Sequence, residues 1–248
     1  MAKRIVVALG LLATLIVAGG AAYIWFSGGS GEPSVPITAP PIATQPTVPD
    51  TSAPPITTSE APATTEAPTA VVYRISQEES VAEFRIGEIL RGSPNQVVGT
   101  TDQVAAELLV DLTDPPSAQL GDVVINARTF STDSSFRDRA IRSFILESAS
   151  DEFEFITFTP TSIEGLPSSL GGGPITFTVA GDLTIRTVTQ AVSFEVALTE
   201  ATAERIGGRA TATVMRSDFD LRIPNVQSVA GVEEEIELVL EFVALPFE

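Results

Sequence analysis

Ile175-Thr176-Phe177-Thr178-Val179 and Val192-Ser193-Phe194-Glu195-Val196 are the two stretches that decide the fold. In each, an apolar residue alternates with Thr, Ser or Glu, the period-two pattern of a strand with one buried and one wet face. Ile236-Glu237-Leu238-Val239-Leu240-Glu241-Phe242 begins the same way and then turns apolar on both faces. Further strand-like runs lie around Val81–Ile86, Val104–Leu112, Val123–Phe130, Phe153–Phe158 and Ala210–Met215. Gly99, Gly121, Gly171-Gly172-Gly173, Gly181 and Gly207-Gly208 read as the turns between them. From Val71 onward the chain is therefore predicted to be all-β, a meander of seven to nine strands. Closure into a barrel removes exposed strand edges most simply, and a sandwich fits the same pattern.

One segment breaks the alternation. Phe136, Ala140, Ile141, Phe144 and Ile145 recur at helical spacing between Ser134 and Ser148, with Ser134 or Ser135 as N-cap. One short helix is expected there. Arg137 and Asp138 fall on its polar side, where Asp138 caps or pairs locally and Arg137 either clamps the helix or meets an anionic head group.

Upstream of Val71 the composition changes twice. Residues 1–4 carry Lys3 and Arg4, and an apolar run follows from Ile5 to Phe26. As a helix at ~1.5 Å per residue it would match a bilayer's hydrocarbon core. Basic residues before the run, and none after it until Arg74, place the N-terminus in the cytoplasm and the rest outside. A cleaved signal peptide is the alternative, with small residues at Ala18-Gly19-Gly20-Ala21-Ala22. Residues 27–70 hold ten of the chain's 18 prolines, mixed with Thr, Ala and Ser. They read as a disordered Pro/Thr-rich stalk carrying the folded domain, residues 71–248.

Composition excludes several function classes. With 32 Asp+Glu against 14 Lys+Arg, the net charge is −18, which opposes nucleic acid as a partner. The chain has no Cys and no His, so disulfides, thiolate nucleophiles, Cys/His zinc sites and imidazole-based triads are absent. No nucleophile elbow, Walker loop, dinucleotide-binding glycine pattern or EF-hand loop occurs. Asp151, Glu152 and Glu154 alternate with Phe153 and Phe155 as a polar outer face, and Glu233-Glu234-Glu235 reads as a solvated turn. No enzyme activity, cofactor or metal is expected.

The domain also resembles the YceI-like family of extracytoplasmic lipid-binding barrels. Tyr73-Arg74-Ile75 followed by Ser80-Val81-Ala82-Glu83-Phe84 is similar to the family's opening strand. Ile125-Asn126-Ala127, Thr132, Arg137-Asp138 and Ile141-Arg142-Ser143 resemble its central signature, and Ile156-Thr157-Phe158 the strand after it. Gly181-Asp182-Leu183-Thr184-Ile185 with Val188-Thr189, and then Arg216-Ser217-Asp218-Phe219, resemble the later elements. Departures are Glu79 and Ala140 where the family often has His, Thr187 for a turn Gly, and Glu154-Phe155 for a Tyr-Pro pair.

The resemblance implies an eight-stranded antiparallel lipocalin-like barrel with a short helix, holding a polyisoprenoid, quinone or acyl chain in its lumen. Phe84, Phe158, Phe177, Val179, Phe194 and Val196 are the expected lining, with Arg137 at the head group. The expected function is a membrane-anchored lipid carrier. The rival is an envelope interaction or adhesion domain with a solid core.

Overall fold

The computed structural model describes residues 29–42, 70–170, 174–224 and 229–247. The apolar run 5–26, most of the expected stalk and the Gly171–Gly173 turn lie outside them. Among the described residues, no helix is long and apolar enough to cross a membrane.

Among the described residues, thirteen strands pair throughout in antiparallel fashion: β1 (Val71–Ile75), β2 (Val81–Leu90), β3 (Ser93–Thr101), β4 (Val104–Ala105), β5 (Glu107–Val110), β6 (Gln119–Leu120), β7 (Val123–Asn126), β8 (Phe155–Glu164), β9 (Ile175–Ile185), β10 (Val188–Ala201), β11 (Ile206–Met215), β12 (Val229–Ala230) and β13 (Glu235–Pro246). They form one strongly curled sheet in the order β4-β7-β8-β9-β10-β11-β13-β1-β5-β6. The central strand β13 takes two partners along one edge, β2 opposite Glu237–Glu241 and β1 opposite the last residues. β2 in turn carries β3 and β12. The segments outnumber the expected eight because they include the short strands β4, β5, β6, β7 and β12, of two to four residues each. One bulge shifts the β8–β9 register between Pro160 and Ser162, another the β10–β11 register between Leu198 and Glu200.

The alternation sets which side faces inward. On β9, Val179, Leu183 and Ile185 are buried; on β10 it is Val192 and Val196, and on β11 Ala210, Ala212 and Val214. These belong to one apolar cluster that lines the concave side of the sheet. The helix forms as α1 (Ser135–Ala140), running on into a π-turn at Ile141–Ile145. Ser134 caps it, its hydroxyl accepting from the Arg137 N–H at 3.4 Å.

Several glycine readings are corrected. Gly99, Gly181, Gly207 and Gly208 lie inside β3, β9 and β11, not in turns. Three of them face an aromatic ring from a neighbouring strand: Phe84 over Gly99, Phe158 over Gly181 and Phe242 over Gly208. A Cβ at any of the three would lie within 3 Å of the ring, so the missing side chain makes room for the ring. The β2–β3 turn falls instead at Arg91-Gly92, where both residues have positive φ, 51° and 85°. That is the two-residue hairpin geometry that matches strand twist.

The stalk reading also changes for residues 29–42, which lie along the domain as an extended strap. Ser34 donates its backbone N–H to Glu154 Oε1 at 2.8 Å, and its hydroxyl to Oε2. Ile37 is buried and its carbonyl accepts from Gln77; the Ile42 N–H donates to Glu107 Oε2 at 3.0 Å. Prolines 33, 36, 40 and 41 cannot join a β ladder, so side-chain carboxylates capture N–H groups that remain. Composition shows that the segment cannot fold by itself, but not that a sheet elsewhere can hold it.

Candidate functional site

The inward faces of the curled sheet do not fill its interior. Two adjoining chambers remain, of about 190 Å³ and about 280 Å³. Either is far larger than the space for a single water. Phe84, Phe130, Ile156, Ile185 and Leu238 line both. Phe84 and Phe130 meet edge to face at 5.3 Å between centroids, so an aromatic pair stands on the wall between the chambers.

The first chamber is almost wholly apolar. Phe158, Phe177, Val179, Phe194 and Val196, all expected from alternation, line it, and Phe84 lines both chambers. Strand pairing brings them together: Phe194 lies opposite Val179, and Val196 opposite Phe177. The rings of Phe158 and Phe194 pack edge to face at 5.0 Å.

The second chamber lies between β2, helix α1 and the residues after β11, and its wall carries charge. Arg137 lines it. It is already in two ion pairs, with Glu88 at 3.3 Å and with Asp133 one turn earlier. Asp138 pairs locally, accepting from the Thr132 N–H at 2.8 Å and from its hydroxyl at 2.7 Å. Arg216 lines the same wall and is paired with Glu234.

Glu88 escaped the sequence reading although its signal was present. The inward positions of β2 are Ala82, Phe84, Ile86, Glu88 and Leu90, so one acid interrupts an apolar face. Its carboxylate accepts from the Asn95 side-chain amide at 3.0 Å as well as from Arg137.

A second polar cluster lies under the strap. Asn126 and Glu154 are fully buried, and Arg128 nearly so. Glu154 accepts from Asn126 Nδ2 at 2.7 Å and from Ser34, with Arg128 at 3.3 Å. Burial alone would raise the Glu154 carboxyl. Hydrogen bonds from Ser34 and Asn126, with the Arg128 charge, outweigh it and hold the group below the ordinary glutamate value. The expected polar outer face therefore fails at Glu154, because Asp151–Phe153 form a 3₁₀ turn where alternation does not apply. Among the described residues, no three carboxylates converge as a metal site.

Known proteins agree with this architecture. No curated protein matches the chain. The structure is similar to that of BcnA from Burkholderia cenocepacia, at TM-score 0.52 and 16% identity, over 68% of this chain and 98% of that one. It is also similar to a polyisoprenoid binding domain from Saccharophagus degradans, at TM-score 0.55 and 14% identity, over 71% and 99% of the two chains. At these identities the likeness is one of fold. Residues 73–244 match the YceI-like domain, and with that span of curled sheet, helix and lumen the chain belongs to the YceI-like family.

Proposed function

We propose that this protein is a non-enzymatic carrier that sequesters a long apolar lipid, of polyisoprenoid, quinone or acyl type, in its lumen. The observation that carries the reading is the pair of adjoining chambers, the first walled almost entirely by carbon. A solid-core interaction domain would have filled that space with side chains. Burying an alkyl or prenyl chain contributes roughly 0.8 kcal/mol per CH₂ before association costs. The polyisoprenoid-binding relative from Saccharophagus degradans supports the same class of cargo. We read the curled sheet as a barrel of eight long strands. The run 5–26 would be its membrane anchor, with the barrel on the extracytoplasmic side.

The test is native mass spectrometry, with lipid extraction, on the full chain purified from membranes. A stoichiometric species of isoprenoid or acyl mass is the expected result. A chain that stays unliganded after incubation with long-chain isoprenoids, quinones and fatty acids would overturn the carrier reading.

A further inference from the structure

The strap has a direction along the barrel. Near its start, Gly31 packs on Arg142, whose Nη1 would lie 3.0 Å from a Cβ built there, and Arg142 belongs to the π-turn that continues α1. Ser34 then binds Glu154, the Ile37 carbonyl receives Gln77, and Ile42 ends the strap on Glu107, with its side chain against Gly121. Helix α1 and its π-turn wall the second chamber through Phe136, Ala140, Ile141 and Ile145. Leu108 and Leu120, the sequence neighbours of Glu107 and Gly121, wall the first. The strap thus begins beside the second chamber and ends beside the first.

Glu107 holds two segments at once. Its Oε2 accepts from the Ile42 N–H at 3.0 Å, and its Oε1 from Arg74 Nε, on β1, at 2.8 Å. The proline-rich stretch 43–69 therefore has both its ends fastened near one carboxylate. Its length adds nothing to the distance between the barrel and whatever precedes the strap. That distance is set by the three steps from Phe26 to Gly29, which span at most ~11 Å fully extended.

Resting on the reading of residues 5–26 as the anchor, we infer that the strap seats the barrel directly on the bilayer, with helix α1 and the second chamber toward the lipid. The partner of the α1 surface is the membrane itself. Phe136 lies where such a contact is needed. It lines the second chamber and is 39% exposed, so a single side chain separates lumen from outer surface there. A lipid tail leaving the bilayer at this point enters an apolar lumen without exposing its length to water. The first chamber, farther from the membrane, takes the end of the tail.

The chain has no Cys, so a single introduced cysteine carries a fluorophore at one known place. Ser135→Cys labels α1, and Ser117→Cys labels the 3₁₀ turn at the first-chamber end; both positions are exposed. The full chain is reconstituted in phosphatidylcholine vesicles, which carry no net charge to repel a protein of charge −18, with a short-range spin-label quencher on the lipid head groups. Emission should be lost at position 135 and kept at 117, because a strand such as β9, of 11 residues, spans ~36 Å. Inserting about twenty Gly/Ser residues after Ser27, ~25 Å of r.m.s. reach, should restore emission at 135. The same insert after Ser52 should leave the loss in place, since both ends of that stretch are fastened to the barrel.

Emission kept at 135 by the vesicle-bound chain, or restored equally by the two inserts, overturns the inference in favour of a barrel raised on a stalk. A loss that survives the insert after Ser27 overturns the strap as the device that seats the barrel. A chain that fails to float with the vesicles overturns the anchor reading and the inference together. Lipid capture is read separately, by extraction, so a failure of the carrier reading is distinguishable from any of these.

Discussion

The ring of Phe84 lies so closely over Gly99 that a Cβ built on Gly99 would sit 2.2 Å from the ring's Cε1 atom. The two residues face each other directly in the β2–β3 register. Phe84 also lines both chambers, so Gly99 fixes how far that ring leans into the lumen. Gly99→Ala should therefore cost about 1–3 kcal/mol of stability by overpacking, measured by denaturant unfolding. Phe84→Leu in the same background should recover part of the loss. An alanine variant as stable as the parent would show that the ring is free to move.

Ala210 is a small residue on the wall of the first chamber. Ala210→Phe should fill space that a lipid tail would otherwise occupy. Lipid capture is expected to fall by about tenfold or more, while the thermal midpoint holds or rises. Undiminished capture would put the lipid somewhere other than this chamber.

Ser34 donates twice to Glu154, which is why that carboxyl stays ionised below the ordinary glutamate value of about 4.3. A group whose folded pKa is depressed contributes stability above its unfolded pKa. That contribution is lost as pH falls through the lower folded value. Ser34→Ala should lower stability at neutral pH by about 1–3 kcal/mol and flatten the acid limb of the stability curve. Denaturant midpoints between pH 3 and pH 7, about the range in which glutamates titrate, would show it. Identical acid limbs in the two proteins would detach Ser34 from the Glu154 titration.

Arg137→Ala leaves Glu88 with a neutral donor and no cation, in a chamber where its side chain is 6% exposed. A loss of about 1–3 kcal/mol is expected for a buried partner left unmatched. Replacing both, as Glu88→Leu with Arg137→Leu, should restore most of it, because apolar substitutes carry no desolvation cost. Calorimetry of the single and double variants separates a clamp from a surface pair of little consequence. A double variant no better than the single one would contradict this account.

The strands that sequence made legible are those whose inward residues are large. Ile175–Val179 sits within β9, and Val192–Val196 within β10, because their alternation answers directly to burial. The helix was legible through its cap. Strand β3 was not: its inward face is Val97, Gly99 and Thr101, and Pro94 opens it, so neither alternation nor propensity marks it. The glycines misled for the same reason, since a single sequence does not show that an aromatic residue lies opposite. Alternation showed that the six apolar residues face inward and the family resemblance that they would wall a lumen, whereas the pairing of Arg137 depended on Glu88, 49 positions away. Least legible was the strap, held by Glu107 and Glu154, which lie 65 and 120 residues from Ile42 and Ser34.

That strap separates two units often treated as one. The stretch shared with relatives begins at Tyr73, yet part of what satisfies its buried acids begins at residue 29. Cutting the chain at the edge of the shared stretch would strip Ser34 from Glu154 and Ile42 from Glu107, leaving Glu154 to Asn126 and Arg128 and Glu107 to Arg74. The inherited module and the packed unit thus have different N-terminal limits, and the latter reaches back into a proline-rich segment that composition alone assigns to no fold.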